Sequence, residues 1–167
     1  MMRGVTRARC AAVLMCVAGA ALAQSGPPLD LATFPRAALE VVQQRPPSEP
    51  RRLHFDVWVA DTPARSEQGL MFVRDLPAGR GMVFPFEPPR VVSFWMKNTY
   101  IELDMLFIDA DGRVVRMIER AAPLRLDLLS SEVPVAAVLE LRGGEAGLLG
   151  LKVGDRVSWK RVDSAAH

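Results

Sequence analysis

The chain has 167 residues, with 21 lysines and arginines against 19 aspartates and glutamates, two cysteines and two histidines. Half of it is apolar, enough for one packed domain of ordinary size. So few cysteines and histidines argue against a disulfide scaffold and against a multi-histidine metal centre.

The first 23 residues have the layout of a secretory signal peptide. Arg3, Arg7 and Arg9 precede an apolar run from Cys10 to Leu22, and Ala21-Leu22-Ala23 presents small residues for cleavage before Gln24. The run is short of the about 20 apolar residues that span a bilayer, and Pro27 and Pro28 follow it. Cys16 lies inside the run behind the bulky Met15, which disfavours lipid modification, and no arginine pair points to the twin-arginine route. Cleavage would remove three basic residues and both cysteines. The mature chain would then be close to neutral and free of thiols, expected in the periplasm or secreted. It would have no nucleic-acid partner and no stable membrane insertion.

Residues 24–36 read as an N-terminal tether, residues 37–162 as a single β-rich domain and residues 163–167 as a tail. Within the domain, 37–43 reads as a first strand, and the proline-rich 45–50 breaks the chain. Leu53, Phe55, Val57 and Val59 alternate with His54, Asp56 and Trp58, the pattern of a half-buried strand. Asp61-Thr62-Pro63 predicts a helix start, with the helix ending near Met71. Between Leu76 and Arg90 prolines and glycines are so dense that at most a short strand is expected, over 82–86. A β-branched and aromatic strand is expected over 90–96. Two more, 105–110 and 113–119, flank the hairpin signal Asp111-Gly112. Residues 135–141 read as a strand, 145–149 as a helical turn and 156–161 as a final strand. The expected fold is mainly β, a β-rich α+β domain. Its form would be a compact barrel-like or two-layer arrangement of seven to eight short strands with one or two short helices, since no helices of βαβ length alternate with the strands.

No nucleophile elbow, phosphate loop, dinucleotide fingerprint or paired-histidine zinc helix is present, and His54 reads as a strand-face residue. One segment stands out, 93–109, where Lys97, Asn98, Thr99 and Asp104 interrupt a dense apolar and aromatic run. Such polar groups are either paired together or gathered in a cleft, because burying one unpaired costs about 1–3 kcal/mol. Under the first reading Asn98 and Thr99 make turn hydrogen bonds while Lys97 and Asp104 form an ion pair. Under the second, the cluster sits at the mouth of an apolar pocket and orients a ligand.

This segment closely resembles the domain of unknown function 192 family, small and often exported prokaryotic proteins, and the likeness spans about residues 37–159. It is carried by Asp61-Thr62-Pro63, Gly69-Leu70-Met71, Gly81-Met82-Val83-Phe84, Phe94-Trp95-Met96-Lys97-Asn98-Thr99, Leu103-Asp104-Met105, Val138-Leu139-Glu140-Leu141 and Gly154-Asp155-Arg156-Val157. Glu102 stands where the family pattern would have proline. The resemblance implies a compact β-rich fold and export, with no settled activity. Carried over residue by residue, it gives Lys97, Asn98, Thr99, Asp104 and Glu140 as polar members and Met71, Met82, Phe94, Trp95 and Met96 as apolar ones. The methionines of the mature chain, Met71, Met82, Met96, Met105 and Met117, could suggest copper, but they follow no repeated motif and methionine is a common core filler.

The expected ligand site is therefore Trp95, Lys97, Asn98, Thr99, Asp104, Glu140, Met71 and Met96, with no metal and no cofactor, taking a small polar molecule or a peptide. The alternative is a hydrolase or lyase in which Asp104 or Glu140 is the general base and Lys97 and Asn98 stabilise developing charge. A third reading is a structural adaptor.

Overall fold

A computed structural model describes residues 27–44 and 48–162 of the chain. The expected signal peptide, the first residues of the tether and the C-terminal tail lie outside the described residues. The fold is mostly β, with nine strands and two short α-helices among the described residues. The strands are β1 (Arg36–Gln43), β2 (Arg51–Val59), β3 (Arg80–Arg90), β4 (Ser93–Phe94), β5 (Leu103–Ile108), β6 (Val114–Ala121), β7 (Leu129–Ser130), β8 (Val135–Arg142) and β9 (Arg156–Val162). The helices are α1 (Pro63–Gln68) and α2 (Glu145–Leu149).

Seven strands form one mixed sheet in the order β6-β5-β8-β3-β2-β1-β9, and β4 pairs with β7 in a small ribbon. The β2–β3 pair is parallel, with α1 in the connection between them; every other pair is antiparallel. The edge strands β6 and β9 meet at one end only, where Arg113 bridges Arg156 and the Val157 amide donates to Gly112 O at 2.7 Å. The sheet is not closed into a barrel.

The sheet buries side chains on both faces. One core gathers Leu39, Val57, Val83, Leu106, Leu139 and Leu141, and a second gathers Met82, Phe84, Met96, Met105, Phe107 and Val138. All six residues of β5 are buried, which is why it reads as an almost unbroken apolar run. The second core is covered by Leu70, Leu76, Val92, Phe94 and Leu129, from the segments around α1, β4 and β7. Phe34, in the segment expected as a tether, is buried there too, and Arg65 of α1 donates to the adjacent Thr33 carbonyl at 3.1 Å.

Two elements depart from the sequence expectation. The breaker-rich segment is the longest strand of the sheet, β3, with 11 residues. Gly81 is required there, because a Cβ would lie 2.4 Å from Glu140 O and 2.9 Å from Leu141 Cδ2 on the neighbouring β8. The prolines are tolerated because β2 pairs with β3 only from Arg80 to Val83, leaving one edge of the strand free beyond that point. A register shift against β8 between Pro85 and Arg90 absorbs Pro88 and Pro89. Conversely, of the strand expected over 90–96, Arg90 ends β3 and only Ser93 and Phe94 pair, as β4 with β7, before the chain turns at Met96 to Thr99.

Candidate functional site

A cavity of about 420 Å³ opens on the face of the second core. Its floor is Glu140, on β8 between Met82 of β3 and Met105 of β5 in register. Its walls come from the C-terminal end of α1 and Leu70 and Met71 after it, from Phe84 and Phe86 of β3, and from the segment 90–95 with Phe94 and Trp95. Thr62 caps the start of α1 by accepting from the Arg65 amide, and Gly69 ends the helix with φ of 52°. A Cβ on Gly69 would lie 3.2 Å from Phe84 Cζ, so glycine lets the helix end close against that ring. Phe84 and Phe94 meet edge to face, centroids 5.0 Å apart.

Glu140 is 4 % exposed, and its Oε2 has no hydrogen-bond partner among the described residues. Burial pushes its carboxyl up to about 8 from an ordinary value of 4.5, so at neutral pH it is mostly protonated. The charged residues that line the same cavity are Glu67 of α1 and Arg90 at the end of β3, both exposed at the mouth. The Arg90 guanidinium lies over the Phe86 ring, 4.9 Å from its centroid.

Of the residues expected from sequence, Met71, Trp95, Thr99 and Glu140 line this cavity, and Met96, Lys97, Asn98 and Asp104 do not. Asp104 pairs in register with Leu141 and so points to the opposite face of the sheet from Glu140. It is fully buried and accepts three backbone amides: Arg120 at 2.8 Å and Gly144 at 2.9 Å on Oδ1, and Ala146 at 2.8 Å on Oδ2. That carboxylate pins the β5–β6 pair to the start of α2. No ion pair joins it to Lys97 among the described residues, which corrects the paired reading of the cluster. The Lys97 ammonium instead lies over the Trp95 ring, 5.0 Å from its centroid, with the side chain exposed.

Met96 to Thr99 form a tight turn. The Thr99 amide donates to Met96 O at 3.1 Å, and Asn98 takes the left-handed conformation, φ 54°, that asparagine tolerates better than most residues. The turn is tied to its surroundings by Phe72 N to Asn98 O at 2.8 Å and Leu124 N to Thr99 O at 3.1 Å, while Asn98 Nδ2 lies 4.0 Å from Met71 Sδ. Asn98 and Thr99 are thus turn residues that hold the cavity wall, and Met96 is buried in the second core. Glu102 accepts the Gly143 amide on its carbonyl at 2.8 Å and pairs with Arg120 at 3.0 Å.

Glu67, Phe84, Phe86 and Arg90 also line the cavity and were not among the site residues expected from the sequence. The alternation of Met82, Phe84 and Phe86 on one side of β3 was the available signal, masked by the prolines around it. Among the described residues no three His, Cys, Asp or Glu side chains gather to hold a metal ion. Met82, Met96 and Met105 are packed in the second core, and Met117 packs against the first.

A family model, DUF192, described as Uncharacterized ACR, matches residues 46–159. The chain belongs to the domain of unknown function 192 family. Two solved structures are similar to this member of the family. One is a candidate transcription regulator of Sinorhizobium meliloti 1021, 37% identical with a TM-score of 0.71, the match covering 75% of this chain and 95% of that one. The other is a protein of unknown function from Novosphingobium aromaticivorans DSM 12444, 38% identical with a TM-score of 0.68, covering 73% and 84%. Among curated proteins, none matches this chain.

Proposed function

We propose that this domain of unknown function 192 member is an exported small-ligand-binding domain of the cell envelope, its ligand seated in the cavity over Glu140. The observation that carries this reading is the unpartnered, buried carboxyl at the floor of a cavity that four aromatic rings, Leu70, Met71 and Val92 line together with Ser66, Gln68, Ser93 and Thr99. Leaving such a group without a partner costs stability, and a few polar groups converging in an apolar hollow are what orients a ligand. The occupant is a small molecule or a peptide side chain. A regulator's role on DNA, which the name of the Sinorhizobium relative would suggest, has less support. The α-helices among the described residues have six and five residues, short for a recognition helix.

A thermal-shift screen of the purified chain against envelope metabolites and short peptides tests the proposal. A ligand at 100 times its Kd adds about 2.7 kcal/mol, a readily measured rise in melting temperature. No shift with any compound, or shifts unchanged in Trp95→Ala and Glu140→Gln, would refute it. Export is tested separately by N-terminal sequencing of the envelope fraction, which should begin at or near Gln24.

The elevated Glu140 carboxyl supports a second reading, a hydrolase or lyase with Glu140 as general acid or base, because a group titrating near neutrality is suited to proton transfer. Asp104 is already saturated by backbone amides and leaves that role to Glu140. Turnover of esters, amides, glycosides or phosphoesters that vanishes in Glu140→Gln would favour it over simple binding.

A further inference from the structure

We infer that the cavity takes a primary-amine ligand with an apolar body, whose ammonium replaces the proton of the Glu140 carboxyl at the floor. This rests on the cavity being the ligand site, and it names the ligand's chemistry. Three observations favour an amine over an anion or a neutral molecule.

The first is the floor itself. Glu140 Oε2 lacks a donor, and the groups facing Glu140 from the flanking strands are the thioethers Met82 and Met105, which supply none. An N–H donor with a positive charge satisfies the oxygen and compensates the charge together, and such charge-assisted bonds are the stronger kind.

The second is the walls. Phe84, Phe86, Phe94 and Trp95 line the cavity, and aromatic faces attract cations while accepting an apolar body.

The third is the balance of charge. Glu67 from α1 and Arg90 from β3 carry one charge of each sign at the mouth, whereas the 91–95 segment and Thr99 contribute no charged side chain. With Glu140 ionised, the lining is one negative charge in excess, and a single ammonium neutralises it. An anion would find in the lining a single positive side chain, Arg90, which lies exposed at the mouth and stacked on Phe86.

The step is a proton exchange. The ammonium enters with its charge, the carboxyl O–H breaks, and one proton leaves to solvent for each amine bound. Because burial holds the carboxyl protonated up to about pH 8, binding should release close to one proton at pH 7. Affinity should rise about 10-fold from pH 6 to pH 7 and flatten above pH 8, while the amine, like lysine, stays protonated throughout.

The test is isothermal titration with 2-phenylethylamine, its neutral analogue 2-phenylethanol and the anion 3-phenylpropionate, in two buffers of different ionisation enthalpy. The amine is expected to bind at least about 10-fold more tightly than either analogue, with one proton released. Glu140→Gln should lose that preference, binding the amine no more tightly than 2-phenylethanol and without proton release, and an undiminished melting temperature at pH 7 checks that the variant is folded. If the alcohol or the anion binds as well as the amine, or the amine binds without releasing a proton, the amine assignment is overturned and the cavity remains the ligand site. If none of the three binds, the amine assignment is likewise overturned, and the cavity as a ligand site is decided by the thermal-shift screen.

Discussion

Replacing Glu140 with glutamine keeps the shape of the side chain and removes its proton equilibrium, so it isolates the cost of ionising a carboxyl inside the second core. In the folded chain the group holds its proton to about pH 8, against 4.5 when exposed. A carboxyl with a raised folded value stabilises the fold fully below its unfolded value, and that contribution is lost as pH rises towards the folded value. Each unit of the difference is worth about 1.4 kcal/mol. Between pH 5 and pH 7 the wild type should therefore lose about 3 kcal/mol relative to Glu140→Gln, and above about pH 8 the gap should stop widening. Near pH 4, where the Glu140 carboxyl is mostly protonated in both states, the two proteins should differ least. Denaturant unfolding of the pair at pH 4, 5, 7 and 8.5 measures this, and other titrating groups cancel in the comparison. Parallel pH profiles would refute the assignment of Glu140 as a buried, uncompensated acid.

Asp104→Ala should cost about 3–5 kcal/mol in the same assay, because it strands three backbone amides, two of them in buried contacts, that now donate to one carboxylate. Lys97→Ala, which removes only an exposed contact with Trp95, should stay within about 1 kcal/mol. Equal large losses in both would revive an energetic link between the two that the geometry does not contain. Gly81→Ala should unfold the chain or lower its melting temperature steeply, since the added methyl meets the β8 backbone at Glu140, whereas Gly79→Ala has open space and should suffer only from its positive φ.

The sequence made most of the fold legible wherever an element's reason was local. The alternation over Leu53 to Val59, the Thr62-Pro63 helix start, the Asp111-Gly112 hairpin and the Gly154-Asp155 lead into β9 all depend on neighbours within a few residues. β3 was not legible because its prolines are tolerated only through what lies beside it: β2 stops pairing at Val83, a relation between segments with α1 and its flanking turns between them. The polar cluster was half legible. Its residue types marked the segment as unusual, yet their roles depend on Phe72, Leu124, Gly144 and Ala146, which reach it from elsewhere in the chain. Asp104 and Glu140 looked interchangeable as acids. They part because strand register sends one to a cradle of amides and the other to a cavity without a donor.

Among the described residues the curled sheet also leaves two strands with unpaired borders, since β6 and β9 touch only around Arg113 and Arg156. Exposed backbone of this kind is a template on which another chain can extend the sheet, the route to runaway self-association. Here the free border of β9 carries Lys160 and Arg161, and that of β6 carries Arg116, Glu119 and Arg120. A second sheet docking on either border would have to strip water from those charges. The guard against aggregation in this fold is thus a matter of side-chain solvation along two borders, separate from the cavity and its acid.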